Sequence, residues 1–164
     1  MAHSAVKPIP EGFHSLTPSL TVRGAADAIE FYKRAFGAVE LSRAIAPDGK
    51  RLWHADLQIG DSHLMLTDEM PEQGSHAPGP EGAIGLSVWL YVEDVDAVYE
   101  RAVAAGAKSV MPVNDTFWGD RFGGLMDPFG HHWAIATRKE NLSEDEVRRR
   151  ADAFVASMNA GQAG

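Results

Sequence analysis

The sequence predicts an α+β fold built from two copies of one strand–helix–strands unit, followed by a further helix. Self-similarity carries most of that prediction. The stretch SLTVRGAADAIEFYKRAFGAV (Ser19 to Val39) has a counterpart in WLYVEDVDAVYERAVAAGAKS (Trp89 to Ser109). Val22 matches Val92 at an offset of 70, and Gly37 matches Gly106 at 69. The later halves match as well: DLQIGDSHLML echoes GLMDPFGHHWAIA, with Gly60 facing Gly130 and Met65 facing Ala134. Hydrophobic period is the other observation, because it alternates between 2 and about 3.6 residues where the copies demand it.

Residues 1–12 lack the apolar run of a secretory signal and read as a flexible N-terminus. The first unit is expected over 13–69. Its opening strand sets Leu20 and Val22 against Thr17, Ser19 and Thr21, and its helix carries an Ile29, Tyr32, Phe36 stripe ended by Gly37. Asp48-Gly49 marks a turn. Beyond it His54, Asp56 and Gln58 share one strand face and Ala55, Leu57 and Ile59 the other. In the closing strand Leu64 and Leu66 oppose His63, Met65 and Thr67.

Residues 70–83, rich in Pro, Gly, Glu and Ser, read as an exposed linker. The second unit is expected over 84–138. Val88, Leu90 and Val92 oppose Ser87, Trp89 and Tyr91; Asp94 is placed to cap a helix bearing Val95, Val98, Tyr99 and Ala102, with Gly106 at its end. In the last strand Trp133 and Ile135 oppose His132, Ala134 and Ala136. A C-terminal helix is expected within 139–158, opening at Ser143 in the S-x-x-E form of a capping box, with Val147, Ala151, Phe154 and Met158 as its apolar side. Residues 159–164 read as a frayed tail.

Aliphatic strand faces should cover the helices, which leaves the polar and aromatic faces to line a common cleft. Trp89, Tyr91 and Met65 favour that arrangement over an open sheet, since apolar area of that size is costly in water. Fifteen Lys and Arg against 23 Asp and Glu give a net charge of −8, which disfavours nucleic acid as a partner. The chain has no cysteine, hence no disulfide, thiolate nucleophile or Cys-ligated metal. No apolar run approaches the roughly 18 residues of a membrane span. Together these point to the cytoplasm. No P-loop, nucleophile elbow or dinucleotide-binding glycine motif is present.

The paired units, the AIEFYKRAFGA and VEDVDAVYERAVAAGA segments and the DPFGHHWAIA ending resemble the glyoxalase/bleomycin-resistance/extradiol-dioxygenase superfamily, or vicinal oxygen chelate superfamily. The stretch FWGDRFGGLMDPFGHHWAIATRKENLS is most similar to its PhnB-like branch. The resemblance covers about residues 13–158. It implies two βαβββ modules forming a curved mixed sheet around a central cleft, commonly in a homodimer. Metalloenzymes of that superfamily place a His or Glu on the first and last strands of each module. The matching positions here are Thr17, Met65, Ser87 and Ala134, none of which is such a donor. A displaced set drawn from His54, Asp56, His63 and His132 is the alternative.

Within the same resemblance, Phe117-Trp118-Gly119-Asp120-Arg121-Phe122 is similar to the drug-holding edge of bleomycin-resistance proteins. Trp118 would offer a stacking surface, with Asp120 and Arg121 fixing polar groups. Equally, Asp120 and Arg121 would serve a local salt bridge while Trp118 plugs a sheet edge. The favoured reading is a dimeric protein without cofactor that binds or sequesters a small aromatic or drug-like molecule, through Trp118, Asp120, Arg121, Trp89, Tyr91, His54, Asp56, Met65 and His63. The alternative is a metal-dependent lyase, isomerase or dioxygenase using displaced ligands.

Overall fold

A computed structural model of the chain describes residues 7–83 and 85–162. Part of the expected flexible N-terminus (1–6), the start of the expected second unit (Ile84) and the end of the expected tail (163–164) lie outside the described residues. In chain order the elements are β1 (Ser19–Val22), α1 (Ala25–Phe36), β2 (Val39–Ile45), β3 (Leu52–Ile59), β4 (Ser62–Asp68), β5 (Ser87–Tyr91), α2 (Val95–Ala105), β6 (Lys108–Asp115), β7 (Asp120–Met126), β8 (His132–Arg138) and α3 (Glu144–Gln162). The fold is α+β, with two βαβββ modules and a C-terminal helix. Each module has its own four-stranded mixed sheet, ordered β1-β4-β3-β2 and β5-β8-β7-β6.

Strand register reproduces the repeat. In the parallel pairs Ser19 lies opposite Met65 and Trp89 opposite Ala134, so the two copies superpose with Ser19 on Trp89 and Met65 on Ala134. The helix starts are built by the same logic from different chemistry. Asp68, at the end of β4, accepts from the backbone N–H of Gly24 and Ala25 at 2.9 and 2.8 Å, and also from Leu52 at 2.7 Å. One buried carboxylate thereby satisfies orphan donors of α1 and ties it to β3. The matching residue of β8, Thr137, accepts from Val95 N–H at 2.9 Å and donates to the Val92 carbonyl. Asp94 caps α2 through Ala97 N–H, as its position predicts.

The modules associate through their helices. α1 and α2 pack on each other, and one continuous core takes in Leu20, Ile29, Tyr32, Phe36, Leu57 and Leu66 from the first module with Val95, Tyr99, Trp133 and Ile135 from the second. Phe36 and Trp133 meet at 4.5 Å between ring centroids. Within that core the Tyr32 hydroxyl donates to the Asp127 carboxylate at 2.6 Å, and Trp133 Nε1 donates to the same oxygen at 2.9 Å. Burial, and then the Asp127 charge, push the Tyr32 pKa well above the usual tyrosine value. His131 reaches the Thr21 carbonyl at 3.0 Å, so of the two adjacent histidines this one belongs to the module junction. Gly123 lies under the Tyr99 ring, where a Cβ would stand 2.8 Å from it; β7 passes beneath α2 because that position has no side chain.

One expectation is refined and another corrected. The 70–83 segment contains a short 3₁₀ turn (Pro71–Gln73), buries Met70 and Ala77, and is held by Arg23 to the Pro78 carbonyl and by Ala83 N–H to the Gly130 carbonyl. It is a strap across the module junction, because Arg23 and Glu69 supply bonds that composition does not reveal. The expected frayed tail is helical through Gln162, α3 running four residues past Met158. Asn159, Ala160 and Gln162 are compatible with helix, and only Gly161 opposes it.

Candidate functional site

Each sheet buries one face under its helix and leaves the other free, and alternation along the strands decides which side chains stand on the free face. On the second sheet these are Trp89 and Tyr91 of β5, Ala134 and Ala136 of β8, Phe122 and Gly124 of β7, and Met111 of β6; the registers Trp89–Ala134–Gly124–Met111 and Tyr91–Ala136–Phe122 place them in two rows. The middle of this face is made of methyls and a glycine, and the aromatic rings stand on either side. Trp89 and Phe122 lean over that low floor and stack, with centroids 5.0 Å apart and planes at 13°. Trp89 keeps 44% of its surface exposed and Tyr91 54%. Next to the stack lies a hollow of about 500 Å³, lined chiefly by Trp89, Phe122, Met111, Leu86, His132 and Ala134. That volume suits a small organic ligand.

Asp120 organises the end of the same face. It is 2% exposed and carries three donors: the Tyr91 hydroxyl at 2.8 Å, Trp118 Nε1 at 3.1 Å and Arg138 Nε at 2.6 Å. A buried carboxylate needs such partners. The Tyr91 hydroxyl, and then Asp120, raise the pKa of Arg138 above its ordinary value. Trp118 is half-buried in the β6–β7 turn, edge-on to Phe117 and 6.1 Å from Phe122. The turn is fixed at Gly119, which has φ 92° and would place a Cβ 2.9 Å from the Glu140 carbonyl.

Arg121 points the other way. It stands with Gly123 and Leu125 on the helix side of β7, where it forms a two-pronged bond to Asp96 of α2 at 2.7 and 2.8 Å and reaches Asp115 at 3.1 Å. Asp96 and then Asp115 hold its pKa above the ordinary range, and Arg121 lowers that of Asp96. Both residues of this pair fit the ion-pair reading, though not with each other: Arg121 pairs with Asp96 and Asp115, and the buried Asp120 pairs with Arg138 at the end of the open face.

The free face of the first sheet is polar. Met65 lies opposite Asp56, which lies opposite Ser42. Asp56 is buried and receives His63 Nδ1 at 2.9 Å, and the His63 ring stacks on Phe13 at 3.7 Å. His54 is half-buried beside this pair in sequence, opposite Ala44 of β2. Thr17 precedes β1, and Ser87 opens β5 opposite His132. Thr17, Met65, Ser87 and Ala134 thus stand at the matched first- and last-strand positions, and a hydroxyl pair, a thioether and a methyl do not fit a divalent ion. Among the described residues no three His, Asp or Glu side chains converge in the geometry a metal needs. No helix among those residues is long and apolar enough to cross a membrane.

Sequence reasoning passed over Arg138 and named Phe122 only as the last residue of the Phe117–Phe122 motif, with no role of its own. Both were available from parity alone: Phe122 lies two residues beyond Asp120, and Arg138 two beyond Ala136.

Comparison with known proteins agrees with this architecture. Residues 12–135 match the family model described as Glyoxalase/Bleomycin resistance protein/Dioxygenase superfamily. An uncharacterized protein of Mycobacterium bovis is 44% identical over 137 residues, which cover 82% of this chain and 90% of that one. TioX from Micromonospora sp. ML1 is 31% identical and superposes with a TM-score of 0.61 over 76% of this chain and 98% of its own. A PhnB protein from Bacillus cereus shares the fold at a TM-score of 0.59 and 20% identity, over 76% of this chain and 99% of its own. The chain belongs to the glyoxalase/bleomycin resistance protein/dioxygenase superfamily.

Proposed function

We propose that this protein binds a small planar aromatic molecule on the open face of its second sheet and needs no metal to do so. The observation that carries this reading is the Trp89–Phe122 stack, held half-exposed over Ala134 and Ala136 beside a hollow of about 500 Å³. Two rings lying nearly parallel offer a flat apolar surface that loses water when a third ring covers it. The four positions at which metalloenzymes of the resembled superfamily carry donors hold Thr17, Met65, Ser87 and Ala134.

Among the described residues the hollow is walled by the second module and by Ala83 at the end of the 70–83 segment, so a second copy is the natural source of its other wall. We place the first-module face with His54, Asp56, His63 and Met65 of that copy across it, in a homodimer. Leu41, Ile45, Val110 and Met111 on the outer strands are exposed apolar residues that such an association would cover. Thermal denaturation with a panel of fused-ring aromatics tests the binding, and light scattering of the eluting protein tests the dimer. Stabilisation by several planar compounds, unchanged after chelator treatment, is the expected outcome. Absence of any shift across the panel, or stoichiometric metal whose removal abolishes the shifts, rejects the proposal.

A further inference from the structure

We propose that Arg138 is the anion anchor of this face, and that the ligand is a planar aromatic acid. The inference rests on the aromatic-binding reading above and names the chemical class of its ligand. Arg138 stands on the open face of β8 and pairs in register with Asp120, one row beyond Tyr91–Ala136–Phe122. Rows on a strand face are spaced about 6.7 Å apart. A ring lying over Phe122 therefore has a guanidinium one row away, within reach of a carboxylate on that ring.

Two observations separate an anchor from a mere counter-ion. Asp120 is already served by Tyr91 and Trp118, and it takes only Nε of Arg138. Nε is the guanidinium nitrogen that bonds Asp120, the Tyr91 hydroxyl stands beside the group, and 52% of the side chain is exposed. An arginine held by Nε is pre-oriented, and its free end presents the planar fork that suits a carboxylate. The surrounding charge is consistent with this. Asp120 is buried and saturated, Asp96 and Asp115 are engaged by Arg121 on the other side of the sheet, and Glu93, which lines the groove next to Arg138, forms no ion pair with it. Asp120 balances the Arg138 charge, so what a carboxylate would meet here is the exposed end of an oriented guanidinium and not an excess of positive charge.

The test uses 2-naphthoate and its neutral counterpart 2-naphthamide, titrated into the full chain and followed by tryptophan fluorescence. The wild type is expected to hold the acid at least about tenfold more tightly than the amide, with the preference shrinking as salt is added. In Arg138→Met the ratio of acid to amide affinity falls to about one. If Arg138→Met does not fold, Arg138→Lys keeps a charge beside Asp120 and is expected to lose most of the preference with the fork. Equal binding of acid and amide by the wild type overturns the anchor and leaves the aromatic reading standing. A preference that survives in Arg138→Met, or that is undiminished in Arg138→Lys, also overturns it. Failure of both compounds to bind the wild type removes the aromatic reading and this refinement with it.

Discussion

The two modules share one backbone plan and differ in where they put bulk. At matched positions the first module carries Ser19 on its edge strand and Met65 and Asp56 on the strands beside it; the second carries Trp89 there, with Ala134 and Gly124 inside. Volume has moved from the middle of the sheet to its rim. The first face is thereby a filled polar surface, closed by the Asp56–His63 pair and Phe13, and the second is a shallow aromatic bowl. A duplicated fold can thus divide its labour with few backbone changes, because each strand position controls one spot on one face.

The helix starts offer the largest way to sharpen this contrast. Asp68→Ala strips three N–H groups of their acceptor, two of them buried, and should cost about 3 kcal/mol or more, whereas Thr137→Val, which removes a single acceptor, should cost about 1 kcal/mol. Urea denaturation of the two variants measures the difference; equal costs would mean that the caps do not work as drawn. Next in size is the bowl. Trp89→Ala should weaken a bound aromatic by about 2 kcal/mol or more, read as a change in Kd, with little effect on stability because the ring is half-exposed. His54→Ala in the first module, on dilute protein, should leave the folded stability similarly untouched.

Transplanting the first module's choice into the second is subtler. Ala134→Met restores the residue found at the matched position and raises the floor under the rings. Ligand affinity should fall by about tenfold or more, with a stability cost of about 1–3 kcal/mol from overpacking. The smallest change concerns the link between modules. Tyr32→Phe leaves Asp127 with one donor fewer in the core and should cost about 1–2 kcal/mol. The folded tyrosine has its pKa raised, so its contribution is complete below pH 10 and fades as pH climbs above that value, where the unfolded tyrosine ionises. Wild-type stability should therefore decline more steeply than that of Tyr32→Phe in alkaline denaturation series.

Much of this organisation was legible in the sequence because it depends on local periods. The stripe of Ile29, Tyr32 and Phe36, the cap at Asp94 and the faces of β1, β4, β5 and β8 follow from spacing of 3.6 or 2 residues. Parity would also have turned Arg121 toward Leu125 and away from Asp120, had it been applied past Gly123-Gly124. What spacing does not encode is partnership across strands. That Asp56 meets His63, and not its sequence neighbour His54, depends on the β3–β4 register, and that Asp120 meets Arg138 depends on the β7–β8 register. Long-range partners such as Asp68 for α1 and Asp127 for Tyr32 are likewise a product of topology, separated by 43 and 95 residues in the chain. The bonds that hold the 70–83 linker against the modules are of the same long-range kind, coming from Arg23 and Gly130.

The bond between Tyr32 and Asp127 bears on how ligand occupancy depends on protein concentration. By fastening α1 to the second module's core it sets how the two halves of a chain stand to each other, and among the described residues nothing covers the bowl they leave. If another copy must bring the lid, occupancy by small molecule becomes a reaction of second order in protein. Half-saturation would then drift with dilution, and a titration at nanomolar chain would look weaker than the same titration at micromolar chain.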